Sequence, residues 1–156
     1  MFPAQWSGLH PPDRGASEVN TETALLGSLA IPGKPDHLRT ARAFVARTLG
    51  DHCACVQTAI LLTSELVTNS LQHSWSRRPG GTITVTLIAI PGGIRAEVID
   101  EGAATIPELR PTSLGQQELA DGGRGLHLVN VLATRWNYAR DKAGTVSWFE
   151  LSDGTL

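Results

Sequence analysis

The stretch Thr82-Ile-Thr-Val-Thr-Leu-Ile-Ala-Ile-Pro-Gly-Gly-Ile-Arg-Ala-Glu-Val-Ile-Asp100 decides the fold class of this 156-residue chain. Residues 82–90 and 94–100 each alternate along the chain with a period of two, which is typical of β-strands. Pro91-Gly92-Gly93 is a turn sequence, so we predict a β-hairpin. The two strands of a hairpin are antiparallel, and the sheet is therefore expected to be mainly antiparallel.

Three further strands are predicted around this hairpin. A short strand, Ala24–Ile31, opens the ordered part of the chain and is stopped by Pro32-Gly33. A second hairpin follows near the C-terminus, with strands at 136–140 and 145–151 joined by the turn Asp141-Lys-Ala-Gly144.

Three helices are predicted from apolar residues that recur at helical spacing. Asp36 is expected to cap the first helix, which Gly50 ends. Asp51 is expected to cap a longer helix that runs to about His73, and the third helix covers about residues 124–134.

The order β, α, α, β, β, long loop, α, β, β favours an α+β fold, an α/β sandwich with three helices on one face of the sheet. Residues 23–156 are expected to form this single domain. Residues 1–22 contain three prolines and no hydrophobic period, so they are expected to be a flexible tail.

The bulk composition argues against several classes of protein. A formal net charge of -2 gives no basic face for nucleic acid. No apolar run is long enough to cross a bilayer. The N-terminal residues lack the basic and apolar segments of a secretory signal. A cytoplasmic protein without nucleic-acid or membrane partners is expected.

The two cysteines, Cys53 and Cys55, are two residues apart. On a helix this spacing directs the side chains to nearly opposite sides. We therefore expect small helix residues, with neither a disulfide nor a shared metal.

A polar pair stands out on the second predicted helix. Glu65 and Asn69 lie one turn apart among apolar residues, where unpaired polar groups are costly. Asparagine can supply a neutral oxygen to Mg²⁺, and a glutamate can orient or deprotonate a hydroxyl. A solvent-facing Glu–Asn pair without a ligand explains the same pattern equally well.

Asp100 ends the apolar face of strand 94–100, the second strand of the first hairpin. A carboxylate at this edge can accept a hydrogen bond from an exocyclic amine such as that of adenine. The alternative is that Asp100 only begins a turn with Gly102.

A long stretch without a clear period separates Gly102 from Gly123 and is typical of a lid or binding loop. It ends in Asp121-Gly-Gly-Arg-Gly-Leu126 at the start of the third helix. Glycines allow close approach of the backbone, and the free N–H groups of a first helical turn attract phosphate. The alternative is a glycine-rich hinge without a ligand.

Together these features resemble the nucleotide-binding motifs of the GHKL (histidine kinase and gyrase-like) ATPases. The resemblance covers about residues 24–151 and involves an N-box, the first half of a G1 box and a G2 box: Glu65-x-x-x-Asn69, Asp100-x-Gly102 and Gly123-x-Gly125-Leu126. A narrower resemblance, to the stand-alone anti-sigma-factor serine kinases of the RsbW type and their actinobacterial relatives, rests on Ser64–Asn69, Gly123–Val129 and Arg135-Trp136.

The resemblance implies a Bergerat ATP-binding fold with ATP and Mg²⁺ as cofactors. The residue matching Glu65 is then the general base that activates a serine on an anti-sigma-factor antagonist. The residue matching Asn69 coordinates Mg²⁺, and the one matching Asp100 recognises adenine.

The resemblance also implies further cofactor contacts. His73 falls at the end of the N-box, although a helix-end histidine without a ligand explains it equally well. Ala104 replaces the second glycine of the G1 box, and its methyl group is expected to narrow the floor under the adenine. The other implied contacts lie in the G1 box and at the glycine turn: Gly102, Gly122, Gly123, Arg124, Gly125 and Leu126.

The function implied by the resemblance is an ATP-binding regulator, an anti-sigma-factor serine/threonine kinase that acts in partner switching. Its partners would be a sigma factor and/or an antagonist protein, and a homodimer is implied as well. Two alternatives remain open: a non-catalytic module whose protein binding is gated by nucleotide, and a detached catalytic domain of a histidine kinase.

Overall fold

The computed structural model describes residues 22–103 and 124–153. Within these ranges the elements follow the predicted order, in an α+β fold. They are β1 (Ala24–Pro32), α1 (Leu38–Leu49), α2 (Val56–His73), β2 (Thr82–Ile90), β3 (Gly93–Asp100), α3 (Arg124–Leu132), β4 (Arg135–Arg140) and β5 (Thr145–Ser152).

The strands form one antiparallel sheet in the order β1-β2-β3-β5-β4. Both predicted hairpins are present, and they join through β3 and β5. In that register Val98 lies opposite Ser147, and Asp100 lies opposite Thr145. The end of β3 is therefore in the middle of the sheet, with a strand on each side.

The core lies between the sheet and the three described helices. Alternate residues of the central strands are fully buried because every second side chain faces the helices, as for Ile83, Val85 and Leu87 on β2. Burying one such side chain contributes about 1.5–3 kcal/mol. Helix α2 contacts both α1 and α3 and is thus the central helix of the layer.

The opposite face of the sheet is more polar. Arg95 bonds Glu97 at 2.8 Å and Glu150 at 3.1 Å, and its guanidinium lies 3.7 Å from the ring centroid of Trp148. These residues come from β3 and β5, so the cluster joins the two hairpins on the side away from the helices.

Both predicted helix caps are wrong. Asp36 lies inside a 3-10 turn, Pro35–His37, and α1 has no side-chain cap at its N-terminus. Asp51 lies inside a second 3-10 turn, Gly50–His52, and α2 starts only at Val56. The N-cap position of α1 is His37, the last residue of the first turn, and that of α2 is Cys55, beyond the second turn, so neither aspartate lies at the position of a cap.

The prediction for the cysteines is also wrong, because Cys53 and Cys55 form a disulfide. The prediction assumed a helix at both positions. Cys53 instead has an extended backbone, with φ -113° and ψ 115°, and both residues precede α2. Their Cα atoms are 5.1 Å apart, a normal distance for a disulfide.

Two of the predicted segments fall largely outside the described residues: the tail at 1–22, apart from Glu22, and the loop at 103–122, apart from Ala103. No described helix combines the length and hydropathy needed to span a membrane.

Candidate functional site

Helix α2 carries the acid–amide pair. Glu65 and Asn69 are both half-buried, one turn apart, while the adjacent Leu66 and Val67 are fully packed in the core. Both polar side chains therefore lie at the rim of the core rather than on the solvent face. The pattern of apolar residues around them positions the pair, since the buried side of α2 must face the sheet.

The start of α3 meets Glu65 directly. A Cβ atom on Gly125 would lie 2.7 Å from Glu65 Oε2 and 3.4 Å from Glu65 Cβ. A methyl group does not fit beside the carboxylate as it now stands, so glycine is required for this close approach. The first turn of α3, whose N–H groups attract anions, thus lies beside the Glu65 carboxylate.

Asp100 is held at the other side of α2. The Ser70 hydroxyl donates a hydrogen bond to Asp100 Oδ2 at 2.6 Å, and the Gly102 N–H donates to Asp100 Oδ1 at 2.8 Å. Ser70 directly follows Asn69. The helix therefore connects the amide of the N-box to the aspartate at the end of β3.

The structure confirms that Asp100 begins a turn with Gly102, and the recognition of adenine by Asp100 stays a prediction. Asp100 begins a turn in which Gly102 has φ +81°, and its carboxylate still faces α2. The turn is held against the end of that helix, because the Trp75 N–H donates to the Gly102 carbonyl at 2.8 Å and the Glu101 N–H donates to Ser76 Oγ at 2.9 Å.

Ser70 and Thr145 were not among the predicted site residues. Ser70 is 4% exposed and Thr145, opposite Asp100 in the sheet, is 5% exposed. The burial period of α2 places Ser70 on the inner face, and a buried hydroxyl needs a partner. The apolar period of α2 thus indicates from the sequence that Ser70 is buried and needs a hydrogen-bond partner, but it does not identify that partner.

The structure describes only some of the other predicted site residues. His73 is exposed at the end of α2, and Leu126 packs half-buried against the core. Arg124 begins α3, but its side chain is outside the described atoms. Ala104, Gly122 and Gly123 lie outside the described residues.

The donor set fits a magnesium ion shared with phosphates better than an all-protein metal site. Among the described residues no group of three or more His, Cys, Asp or Glu side chains comes together. Mg²⁺ is commonly bound through one or two side-chain oxygens together with substrate phosphates. Asn69 offers one such oxygen at the rim of the core, and the Glu65 carboxylate lies one turn away.

A separate groove of about 520 Å³ lies on the outer side of α1 and α2. None of the site residues described above lines it. Its walls come from both helices: Leu38, Arg39, Arg42, Ala43, Ala46, Gln57 and Ile60.

Comparison with known proteins gives a consistent picture. A family model described as histidine kinase-like ATPase domain matches residues 31–150. The serine-protein kinase RsbW of Listeria monocytogenes serotype 4a is 26% identical over 115 residues, which cover 67% of this chain and 73% of the relative. RsbW of Listeria innocua serovar 6a matches at the same identity and coverage.

A solved structure shares the fold. The crystal structure of the RsbU and RsbW domains of a Mycobacterium tuberculosis protein aligns with a TM-score of 0.56 at 22% identity. The match covers 81% of this chain and 32% of that chain, so this protein spans about a third of the longer one.

Proposed function

This chain belongs to the histidine kinase-like ATPase domain family, and on that premise we propose that it is an ATP-dependent serine/threonine protein kinase that acts as an anti-sigma factor. Its similarity to the serine-protein kinase RsbW over two thirds of the chain supports this assignment. The proposed partners are a sigma factor and/or an antagonist protein that carries the phosphorylated serine.

One observation carries the proposal: three functional groups converge on α2. Glu65 contacts the glycine start of α3, Asn69 lies one turn further along, and Ser70 bonds Asp100 at the end of β3. The residues proposed as general base and magnesium ligand are thus on one helix, and the carboxylate proposed to recognise adenine is hydrogen-bonded to that helix. Phosphoryl transfer depends mainly on positioning and charge stabilisation, which such an arrangement can supply.

Each group has a defined task in the proposed reaction. Asp100 accepts a hydrogen bond from the adenine amine, and the N–H groups at the start of α3 bind phosphate oxygens. Glu65 accepts the proton of the substrate serine hydroxyl. The serine oxygen then bonds the γ-phosphorus of ATP, and the bond between this phosphorus and the bridging oxygen breaks, so that ADP leaves. Asn69 would hold Mg²⁺, which neutralises charge on the phosphates.

The decisive experiment removes the proposed base without removing its shape. Incubation with γ-labelled ATP, Mg²⁺ and anti-sigma-factor antagonist domains from the same genome is expected to label a serine on one of them. Glu65→Gln is expected to lower the transfer rate at least about 100-fold, the usual contribution of a general base. Mg·ATP affinity, measured by calorimetry, should change little.

The matched control is Glu97→Gln on the opposite face of the sheet, which should keep full transfer. If wild type binds both Mg·ATP and the antagonist but transfers no phosphate, the kinase assignment is wrong, and the nucleotide-gated binding module takes its place.

Two further proposals follow from this function. The need for ATP favours the cytoplasm as the place of action. A homodimer is proposed through the outer edge strand β1, because Leu25 and Leu26 on that strand are 61% and 42% exposed. An exposed apolar edge strand is a preferred surface for pairing with another chain.

A further inference from the structure

We propose that Ser70 is the positioning residue for Asp100 and sets the preference of the site for adenine over guanine. The inference rests on the proposed function, in which Asp100 meets the nucleotide base. It concerns a residue of α2 that does not belong to the acid–amide pair.

The contact itself is short and sheltered. Ser70 is 4% exposed, and its hydroxyl lies 2.6 Å from Asp100 Oδ2 across 30 residues of sequence. This distance is typical of an O–H group that donates to an ionised carboxylate. The partner Asp100 is half-buried, more exposed than Ser70.

Two bonds from different elements fix the orientation of the carboxylate. The last torsion of an aspartate side chain is broad, so an unsupported carboxylate rotates readily. Here Oδ2 accepts the Ser70 hydroxyl from α2, and Oδ1 accepts the Gly102 N–H from the turn after β3. Gly102 belongs to the same turn as Asp100. The Ser70 bond is therefore the one that fixes the carboxylate of Asp100 relative to helix α2, which carries Asn69.

The same bond decides what the pair can offer a ligand. A serine hydroxyl has one proton, and Ser70 donates it to Asp100. The remaining lone pairs on Ser70 Oγ and on the Asp100 carboxylate are all acceptors. The exocyclic amine of adenine can donate to such a surface, whereas the carbonyl of guanine at the equivalent position finds no donor there.

The test is calorimetric titration of the full chain with Mg·ATP and Mg·GTP. Wild type is expected to prefer ATP. Ser70→Ala should weaken ATP about 10-fold, a typical loss for a hydrogen bond to a charged group, and leave the weak GTP binding unchanged. A purely structural role would weaken both nucleotides by the same factor, because both present the same phosphates, and that outcome would overturn the inference.

Ser64→Ala is the matched control, because Ser64 lies on the same helix and its hydroxyl donates to the backbone carbonyl of Ile60, one turn earlier in that helix. It should leave the ATP to GTP ratio as in wild type. Ser70→Thr keeps the hydroxyl and should restore the ratio. Where Ser70→Ala does not fold, Ser70→Cys keeps the volume with a weaker donor and should show the same loss.

A double variant shows whether Ser70 acts through Asp100. In an Asp100→Asn background the further change Ser70→Ala should not alter the ratio, since the carboxylate it orients is gone. An additional, independent loss of the ratio contradicts the positioning role. If wild type binds neither nucleotide, the proposed function itself is refuted. If wild type prefers ATP and the Ser70→Ala variant prefers ATP to the same extent, only this inference is refuted.

Discussion

Gly125 is the residue at which two parts of the site come into contact. It belongs to α3, and its missing side chain leaves room for the Glu65 carboxylate of α2. The atom nearest to an added Cβ is the far end of a flexible side chain, so a methyl group would displace the carboxylate rather than the helices. Position 125 therefore matters to the placement of the proposed base more than to packing.

We expect Gly125→Ala to separate stability from activity. Alanine is favoured over glycine by up to about 1 kcal/mol inside a helix and by less in a first turn, where Gly125 lies, so the free energy of unfolding should change little. Phosphoryl transfer should fall at least about 10-fold, because Glu65 must rotate away. Urea unfolding and labelled-ATP assays measure the two quantities.

Val131→Ala on the exposed side of α3 is the control for helix propensity, and it should keep full transfer. A Gly125→Ala variant with wild-type transfer would show that Glu65 does not need its present position.

At the scale of elements, the corner between α1 and α2 has a covalent link that the sequence pattern did not predict. Cys53 and Cys55 are each 8% exposed and belong to the core cluster at the N-terminal end of α2. The closed loop is short, with a sequence separation of 2. Since stabilisation by a disulfide grows with loop length, this bond is expected to contribute at the low end of the usual range.

We expect reduction of this disulfide to lower the free energy of unfolding by about 1.5 kcal/mol, from the loss of loop closure in the unfolded chain. Urea unfolding with and without reductant measures the difference. The Cys53→Ser/Cys55→Ser variant should be insensitive to reductant. If wild type is equally insensitive, the bond does not contribute to stability.

The disulfide also bears on where the protein acts. Disulfides persist in oxidising compartments and are rare in the cytosol of mesophiles. Alkylation of the protein in intact cells, followed by mass spectrometry, measures the fraction of Cys53 and Cys55 in the reduced form. A high reduced fraction is expected for a cytoplasmic protein, and a fully oxidised pair would argue against the proposed location.

At the scale of the whole molecule, the sheet ends in two edges of different character. The β1 edge carries Leu25, which is 61% exposed, and β4 at the other edge carries Arg135 and Arg140. Charged residues protect an edge strand from pairing, whereas an exposed leucine does not. The β1 edge is therefore the proposed site of homodimer formation.

We expect wild type to be a dimer in sedimentation experiments and Leu25→Lys to be a monomer, because lysine adds charge to the pairing edge. Val131→Lys is the control, since Val131 on α3 is also 61% exposed. It should remain a dimer. A Leu25→Lys variant that stays dimeric, or a wild type that sediments as a monomer at high concentration, contradicts the β1 interface.

The local elements of this protein follow from the sequence alone. The hairpin at 82–100 and the helix ending at His73 were predicted within a few residues, because the period of two or of 3.6 is set by neighbours along the chain. The acid–amide pair on α2 was also predicted, since four residues always span about one helical turn. The starts of α1 and α2 were not predicted correctly, because aspartate is common both in tight turns and at helix caps.

The contacts that build the site were decided by the tertiary structure. Ser70 bonds Asp100 across 30 residues, and Gly125 meets Glu65 between two different helices. The pairing of β3 with β5, which places Asp100 beside Thr145, joins two hairpins that the chain pattern leaves independent. Periodicity specifies which face of a helix or strand is buried, but it does not specify the element against which that face packs. That choice depends on how all helices and strands pack together around the core.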